Sequence, residues 1–295
     1  MAMVTLRRSD GATFIYGDIF RILSYGLTGV GKLDVEIFTE PNAQDDGDMV
    51  TGERVPMREI RIAAQCIGRS ANQIARRVAN RFFVPAYDYE IHLDYKGVKA
   101  WIPARLDEFD MPTENPHRPQ SLSVTFLCPD PYFLSEDSFG KNIAQVVGCA
   151  GFPYMENPAY GWIASYYDFS RSVVIENDGD VVAYPLVEIT ANGHVENPKV
   201  IKDKYFVKVL DTMEAGGRIV IDFGAKTIRE NPQKHFVGNR VYFTGGANIT
   251  QKASKDSSLL SIAFEPGPGI MSYAADDGEN VMSCYIYLYQ RYVGV

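Results

Sequence analysis

The 295-residue sequence lacks the long apolar runs that mark a membrane protein or a secretory signal. Its longest uncharged stretch, Asn142 to Met155, contains glycines and a proline and is shorter than the roughly 20 apolar residues of a membrane helix. The N-terminal segment MAMVTLRRSD has no apolar core of the kind that a signal peptide requires. These absences predict a soluble protein with no membrane insertion.

The sequence is also poor in the residues that build metal and catalytic sites. Its cysteines and histidines are few, and they show no zinc, redox or paired spacing: Cys66, Cys128, Cys149, Cys284, His92, His117, His194 and His235. A GxSxG nucleophile motif is absent as well. We therefore expect reduced, mostly buried thiols, no metal, no cofactor and no catalytic residue. A carboxylate pair of a polysaccharide-active enzyme stays open, because such a pair is defined by its separation in space.

A basic excess is missing too. The chain carries 29 lysines and arginines against 37 acidic residues, which gives a formal net charge of −8. Proteins that bind nucleic acid through its phosphates usually show a clustered basic footprint. The charge balance therefore argues against a nucleic-acid partner.

Two motifs are incomplete. Residues 26–32 have the spacing of a phosphate-binding loop, but Leu33 stands where a hydroxyl should bind magnesium, and a strand-like segment follows instead of a helix. Residues 42–53 partly match a calcium loop, but the first and third ligands would be the neutral Asn42 and Gln44. We therefore expect neither a nucleotide nor a helix-flanked calcium site.

Strand signals are abundant throughout the chain. Seven short segments combine β-branched and aromatic residues with a largely alternating pattern, and these are Leu33–Thr39, Tyr89–Tyr95, Ser121–Leu127, Ser172–Glu176, Pro185–Thr190, Arg218–Phe223 and Arg240–Phe243. Turn residues separate them, as at Lys96–Gly97, and Asn192–Gly193 is the strongest local hairpin signal. The pattern predicts a mainly β protein.

One amphipathic helix is predicted after residue 70. Ser70 caps it, and apolar residues recur on one face at helical spacing, namely Ala71, Ile74, Ala75, Val78 and Phe82. We expect residues 1–140 to form a β-sheet domain with this one packed helix, and residues 141–295 to form a β-sandwich.

Charges are segregated in the N-terminal half. Seven acidic residues and no basic one lie between Asp34 and Glu53, whereas seven arginines and one acid, Glu59, lie between Arg54 and Arg81. Two solvated surfaces would explain this pattern. A self-complementary surface that closes a head-to-tail ring would explain it equally well. Between the blocks, residues 40–58 have little periodicity, which is typical of an extended arm or a mobile loop.

Tyrosines alternate in the last predicted strand, where Tyr285, Tyr287 and Tyr289 share one face. Such a face stacks on sugars or packs as a half-buried sheet surface. We favour packing, because β propensity alone places tyrosine there.

Several segments taken together resemble one known family. They are Tyr89–Pro103 and the run VTFLCPDPYF at 124–133, then ENDGDVVAYP at 176–185, Gly217–Asp222, Glu265–Gly267 and the closing Tyr287–Gly294. Their order is similar to that of the distal tail proteins (Dit) of long-tailed, non-contractile bacteriophages. The resemblance spans nearly the whole chain. One departure is Pro268–Gly269, where members often have an asparagine.

The resemblance implies a structural protein of the virion, assembled in the host cytoplasm. Its N-terminal domain, with a helix and an extended arm near 40–58, would close into a homo-hexameric ring that joins the tail tube to the baseplate and host-adhesion device. Its C-terminal domain would be a galectin-like β-sandwich that faces outward. The implied partners are the tail tube protein, tail-associated or tape-measure hub proteins, and receptor-binding or baseplate proteins.

In this light the charge blocks become a hypothesis about ring closure. The arginines would lie near the acidic residues of a neighbouring subunit, and the interface residues would be Asp45, Asp46, Asp48, Arg58, Arg61, Arg76, Arg77 and Arg81. Two alternatives remain for the function. One is a module that binds a host cell-surface saccharide, although Trp162, the second-half tryptophan, lies outside any clear strand. The other is a polysaccharide-active enzyme.

Overall fold

The computed structural model describes residues 3–31, 33–42, 46–66, 72–112, 119–137, 141–142, 145–148, 165–168 and 172–294. Asp45, Ser70, Ala71 and Trp162 lie outside the described residues. The chain forms two compact units: the first contains Met1–Glu136 and Arg291–Val295, and the second contains Asp137–Gln290. Within the described ranges, no helix is long and apolar enough to span a membrane.

The first unit is one large antiparallel sheet, one helix and one separate hairpin. Its elements are β1 Met3–Arg8, β2 Thr13–Ile15, β3 Phe20–Thr28, β4 Glu36–Pro41, β5 Asp48–Arg54, β6 Arg58–Cys66, α1 Asn72–Phe82, β7 Asp88–Tyr95, β8 Val98–Asp110, β9 Ser121–Cys128, β10 Phe133–Ser135 and β27 Arg291–Tyr292. The sheet has the order β2-β1-β7-β8-β9-β6-β3, and β10 joins β8 to β27.

Strict alternation in β6 shows how the sequence builds this sheet. Arg58, Ile60, Ile62, Ala64 and Cys66 are buried, while the residues between them point away from the core. The helix α1 covers the inner face of the sheet through small and aromatic side chains, which share one hydrophobic cluster with the strands: Ala75, Ala79, Phe82, Phe14, Tyr89 and Phe126.

The predicted helix is present at Asn72–Phe82, and the face assigned to the core was wrong at one position. Ala75 and Phe82 are buried as expected, and Val78 packs partly against the core. Ile74, which we assigned to the buried face, is 63% exposed, and Ala79 takes a core position instead. The buried stripe is narrower than the apolar pattern suggested, because two alanines bring the helix close to the sheet.

The second unit contains the other strands. They are β11 Lys141–Asn142, β12 Gln145–Gly148, β13 Ser165–Asp168, β14 Ser172–Asn177, β15 Pro185–Ala191, β16 Val195–Glu196, β17 Lys199–Lys202, β18 Tyr205–Lys208, β19 Thr212–Met213, β20 Arg218–Asp222, β21 Thr227–Glu230, β22 Gln233–Val237, β23 Arg240–Thr244, β24 Ala247–Asn248, β25 Gly267–Ala274 and β26 Met282–Leu288. Among the described residues of this unit, two 3-10 helices lie at Thr250–Lys252 and Glu279–Val281.

Two sheets of the second unit enclose one core. The first has the order β11-β26-β15-β20-β21-β24 and the second has the order β14-β25-β17-β18. Both contribute to a single cluster of buried residues, with Val187 and Ile286 from one sheet and Val200 and Met271 from the other. This arrangement is a β-sandwich, and the mainly β prediction for the whole chain is confirmed.

All seven predicted strands are present, with the first displaced by three residues to Glu36–Pro41. Lys96 and Gly97 both have positive φ and form the tight turn between β7 and β8. The hairpin predicted at Asn192–Gly193 was wrong, because β15 pairs with β20 and β26 and not with the next strand along the chain. Long-range pairing therefore decides the sheet order there.

Candidate assembly surface

The hairpin β4–β5 stands apart from the large sheet of the first unit. Among the described strands, its two strands pair with each other and with no third, from Glu36 opposite Arg54 to Pro41 opposite Asp48. Every residue of both strands is exposed except Gly52, which is half-buried. The segment 40–58, predicted to be an arm or loop without regular structure, therefore contains a regular strand, and the acidic segment before it supplies the pairing partner.

Both faces of this hairpin combine apolar and acidic side chains. Phe38 lies on the same face as Glu36 and Glu40, whereas Ile37 lies across from Glu53 on the opposite face. The largest apolar side chains remain open to solvent, with Ile37 60%, Phe38 49%, Met49 61% and Val50 61% exposed. Arg54 bonds Glu36 at 2.6 Å, so the one basic residue of the strands is already paired.

An isolated two-stranded hairpin is marginally stable at best in water. This hairpin also exposes four large apolar residues, the kind of patch that marks an interaction site. A surface that covers either face would bury these residues and would need basic groups opposite the acids. The hairpin therefore has the chemistry of one half of an interface.

The root of the hairpin contains a cavity. Residues 33–35 and 55–57 connect β4 and β5 to the sheet without strand structure. Between these connections lies a polar cavity of about 260 Å³. Its lining includes Asp34, Glu59, Met57, Pro56 and Arg58.

The predicted acidic interface residues lie on this hairpin. Asp46 is in the turn and Asp48 begins β5, and both are exposed. Residue 45 lies in a part of the turn that the structure does not describe. The acids that remain are therefore presented together at the tip.

The predicted arginines are used in different ways. Arg61 is exposed on β6, where its Nε donates to Ser123 Oγ at 3.2 Å. Arg76 donates to the Pro112 carbonyl at 2.8 Å and to Gln120 Oε1 at 2.7 Å, so it ties the helix to the rest of the unit. Arg58 is buried and bonds backbone carbonyls of its own unit.

Arg77 and Arg81 are exposed on the helix, and no ion pair joins either to a carboxylate among the described residues. With Ile74, they occupy positions i, i+3 and i+7, which form one stripe along the helix. The stripe combines one apolar side chain with two cations, and we call it the helix stripe. Sequence reasoning missed it because Ile74 fits the periodic pattern of the buried face.

In the second unit, the tyrosine face is packed and not open. The hairpin β22–β23 lies over it, and Tyr289 Oη donates to the Val241 carbonyl at 2.7 Å. Tyr287 is 5% exposed, and its Oη donates to Glu188 Oε2 at 2.9 Å. Burial raises the pKa of Tyr287, and the adjacent Glu188 carboxylate raises it further.

Glu188 is the centre of a buried charge cluster that sequence reasoning missed. Its carboxylate is 2% exposed and lies 2.6 Å from Lys234 Nζ and 2.9 Å from Arg218 Nε. Lys234 Nζ also lies over four aromatic rings, at 5.1–5.9 Å from their centroids: Phe236, Phe243, Tyr285 and Tyr287. Lys234 therefore ties the hairpin to the sheet, whereas Arg218 pairs with Glu188 across two neighbouring strands of that sheet.

The described cysteines show no sign of reactivity. Cys66, Cys128 and Cys284 are buried and free, as expected from the sequence. Burial raises the pKa of the Cys128 thiol to about 12 and raises that of Cys284 as well. Across the described ranges, no group of three or more His, Cys, Asp or Glu side chains is arranged to hold a metal ion.

No protein-family model and no curated protein sequence matches the chain. Solved structures do. The Dit protein of phage SPP1, described as a paradigm of the hub adsorption apparatus in phages that infect Gram-positive bacteria, superposes with a TM-score of 0.63 at 14% identity over 98% of both chains. A chain of the phage P2 baseplate in its activated conformation with Ca superposes with a TM-score of 0.55 at 11% identity over all of both chains.

The P2 baseplate structure with Sr gives the same values. These matches extend over 98% or more of the chain and so span both units. The chain thus has the fold of a phage distal tail protein, as its sequence resemblance implied.

Proposed function

We propose that this protein is a structural component of a phage tail tip, where a homo-hexameric ring joins the tail tube to the baseplate and host-adhesion device. The observation that carries the proposal is the full-length fold match to a hub protein of an adsorption apparatus. Ring formation is assigned to residues 1–140 and partner docking to residues 141–295. The role is structural and not enzymatic.

Ring closure requires two complementary surfaces on one subunit, because a head-to-tail interface joins different patches. The hairpin β4–β5 offers apolar side chains with acids, including Asp46 and Asp48. The helix stripe offers Ile74 with Arg77 and Arg81. We assign the hairpin of one subunit to the helix stripe of its neighbour, where apolar contacts supply affinity and opposite charges supply register.

The second unit serves in this proposal as a galectin-like docking scaffold for receptor-binding or baseplate proteins. The first unit would contact the tail tube protein and the tail-associated or tape-measure hub proteins. A saccharide site is less well supported, because the tyrosine face that would stack on a sugar is covered by the hairpin β22–β23. Glycan-array binding by the purified protein would reopen that alternative.

Electron microscopy of negatively stained protein tests the ring directly, and the expected result is six-fold rings with a central channel. Light scattering then tests the surfaces. We expect the double variant Arg77→Glu and Arg81→Glu to lower the hexamer fraction at least tenfold, because like charges would face the hairpin acids. Arg76 is kept unchanged, since its bonds to Pro112 and Gln120 support the fold.

The matched control reverses two exposed lysines of the second unit, Lys204→Glu and Lys255→Glu, which changes the net charge equally. Adding Asp46→Arg and Asp48→Arg to the arginine variant should restore assembly. A hexamer mass that is identical in the arginine variant and the wild type would eliminate the assigned surfaces. Protein that stays monomeric at every concentration would count against the ring itself.

A further inference from the structure

Arg58 is a buried cation at the point where the hairpin returns to the sheet. It is 5% exposed and is the first residue of β6, three residues after β5 ends. Its Nη1 donates to the carbonyls of Gly29 and Val30 at 3.0 and 2.9 Å. These two carbonyls lie just after β3, where the chain leaves the sheet to form the hairpin.

The third acceptor comes from the other end of the sequence. Arg58 Nη2 donates to the carbonyl of Val293 at 2.5 Å. The guanidinium carbon also lies 4.9 Å from the ring centroid of Phe133, whose strand β10 pairs with β27. One side chain thus joins the chain entering the hairpin, the chain leaving it and the C-terminal segment.

The C-terminal segment 291–294 is itself fixed within the first unit. Arg291 Nη2 binds both carboxylate oxygens of Asp130, at 2.6 and 2.8 Å. A Cβ atom at Gly294 would come within 3.2 Å of the Val30 carbonyl oxygen and 3.4 Å of Gly31 Cα. The segment therefore packs closely against Val30, whose carbonyl Arg58 also binds.

We infer that Arg58 is the positioning residue of the hairpin, and that the C-terminal segment must be docked for Arg58 to fix the hairpin root. That a fixed hairpin promotes ring closure rests on the proposed function. That Arg58 fixes the root of the hairpin rests on contacts within one subunit. Arg58 therefore acts inside the subunit, and the intersubunit role predicted for it is not part of the proposal.

Arginine suits this position for a physical reason. Its planar guanidinium presents five donors in a fixed fork, so that it can reach carbonyls on three segments at once. A lysine keeps the charge but has one small ammonium group, which cannot span the same acceptors. Burial lowers the pKa of the Arg58 guanidinium, and the group remains charged because arginine starts from a very high value.

Amide hydrogen exchange of the full-length protein tests the inference. In Arg58→Lys we expect exchange to become at least tenfold faster in residues 29–35 and 55–57, with the core strands β7 and β8 unchanged. Deletion of residues 291–295 should accelerate the same residues. Gly294→Val should do so too, because its Cβ would lie 3.2 Å from the Val30 carbonyl oxygen, so that Val30 or the segment must shift. The matched control is Arg105→Lys, an arginine of β8 that is 73% exposed.

Unchanged exchange at the root in both Arg58→Lys and Gly294→Val would overturn the inference. An equal acceleration over the entire first unit would also overturn it, since that result indicates general destabilisation. If Arg58→Lys does not fold, Gly294→Val and the deletion decide the matter. Ring images separate the two proposals. Faster root exchange in the variants, with no rings formed by the wild type, counts against the proposed function alone. Unchanged root exchange in the variants, with wild-type rings present, counts against the positioning role of Arg58 alone.

Discussion

The two units differ in the basic residue that they use most. In the first unit, arginines bind backbone carbonyls in addition to carboxylates: Arg8 donates to the carbonyls of Arg81 and Phe82, each at 2.9 Å, and to Asp10, and Arg58 binds three more carbonyls. In the second unit, lysines bind carboxylates, as Lys208 does with Asp276 at 2.7 Å. The sequence reflects this difference, with 12 arginines and 4 lysines in residues 1–150 and 5 arginines and 8 lysines afterwards.

This contrast changes the meaning of the arginine block. Clustered arginine favours an interface, because its fork pairs well with carboxylates. Arg8, Arg58 and Arg76 show that the same fork also ties chain segments together through their carbonyls. Arg77 and Arg81 of the helix stripe are exposed and have no such internal use among the described contacts, so we assign the partner surface to them.

The strongest test of the contrast removes the buried carboxylate of the second unit. Glu188→Ala leaves Lys234 and Arg218 without their shared partner, and removing one member of a buried pair is strongly destabilising. We expect a loss of about 3 kcal/mol in the free energy of unfolding, measured by urea denaturation. The control Asp276→Ala removes a half-exposed carboxylate and should cost less than about 1 kcal/mol. Equal losses in the two variants would erase the distinction between the buried and exposed pairs.

A second test exchanges the two kinds of cation. Arg8→Lys should lower the free energy of unfolding by about 1.5 kcal/mol, because lysine cannot serve both helix-terminal carbonyls and Asp10 together. Lys208→Arg in the second unit should stay within about 0.5 kcal/mol of wild type, since one carboxylate accepts either cation. Urea denaturation monitored at Trp101, in a Trp162→Phe background, follows the first unit. An Arg8→Lys variant with the same free energy of unfolding as the wild type would show that the guanidinium of Arg8 is not required.

The smallest expected effect is a difference between the two units in how their stability depends on pH. Hydrogen bonding from Arg8 lowers the pKa of Asp10 from 3.8 to about 2, so its stabilisation is complete above pH 3.8 and is lost as the pH falls through the folded-state pKa. Hydrogen bonding to Glu214 raises the pKa of His194 above 6.5, so its stabilisation is present below pH 6.5 and is lost as the pH rises through the folded-state pKa.

The two units should therefore lose these contributions at opposite ends of the pH range. Proton titration by NMR gives both values, and Asp10→Asn and His194→Gln should each flatten the response of one unit only. A measured pKa of Asp10 near 3.8 would show that its carboxylate is not stabilised by Arg8.

Local pattern was sufficient to predict most of the elements. Alternation of buried residues gives β6 and β9, and helical spacing gives α1, because side-chain periodicity follows directly from backbone geometry. The resemblance in segments such as VTFLCPDPYF was sufficient for the fold. The interface residues stay a prediction: Arg77, Arg81, Asp46 and Asp48 are exposed, as a partner surface requires.

The features that were missed depend on contacts between distant positions. Asn192–Gly193 has the residues of a tight hairpin, but β15 pairs with strands that lie about 30 and 100 residues further along the chain. Glu188 meets Lys234 only because the hairpin β22–β23 folds over the sheet. Arg58 meets Val293 across almost the whole sequence. No local signal specifies such pairs.

The position of Val293 has a consequence for how the protein is made. Arg58 and Val293 are 235 residues apart in the sequence. Ribosomes add about 5–20 residues per second, so Arg58 waits on the order of 10 to 50 s after its own synthesis for its third acceptor. We therefore expect the root of the hairpin to be fixed late in the synthesis of the chain, and a chain truncated before Val293 never to gain this contact.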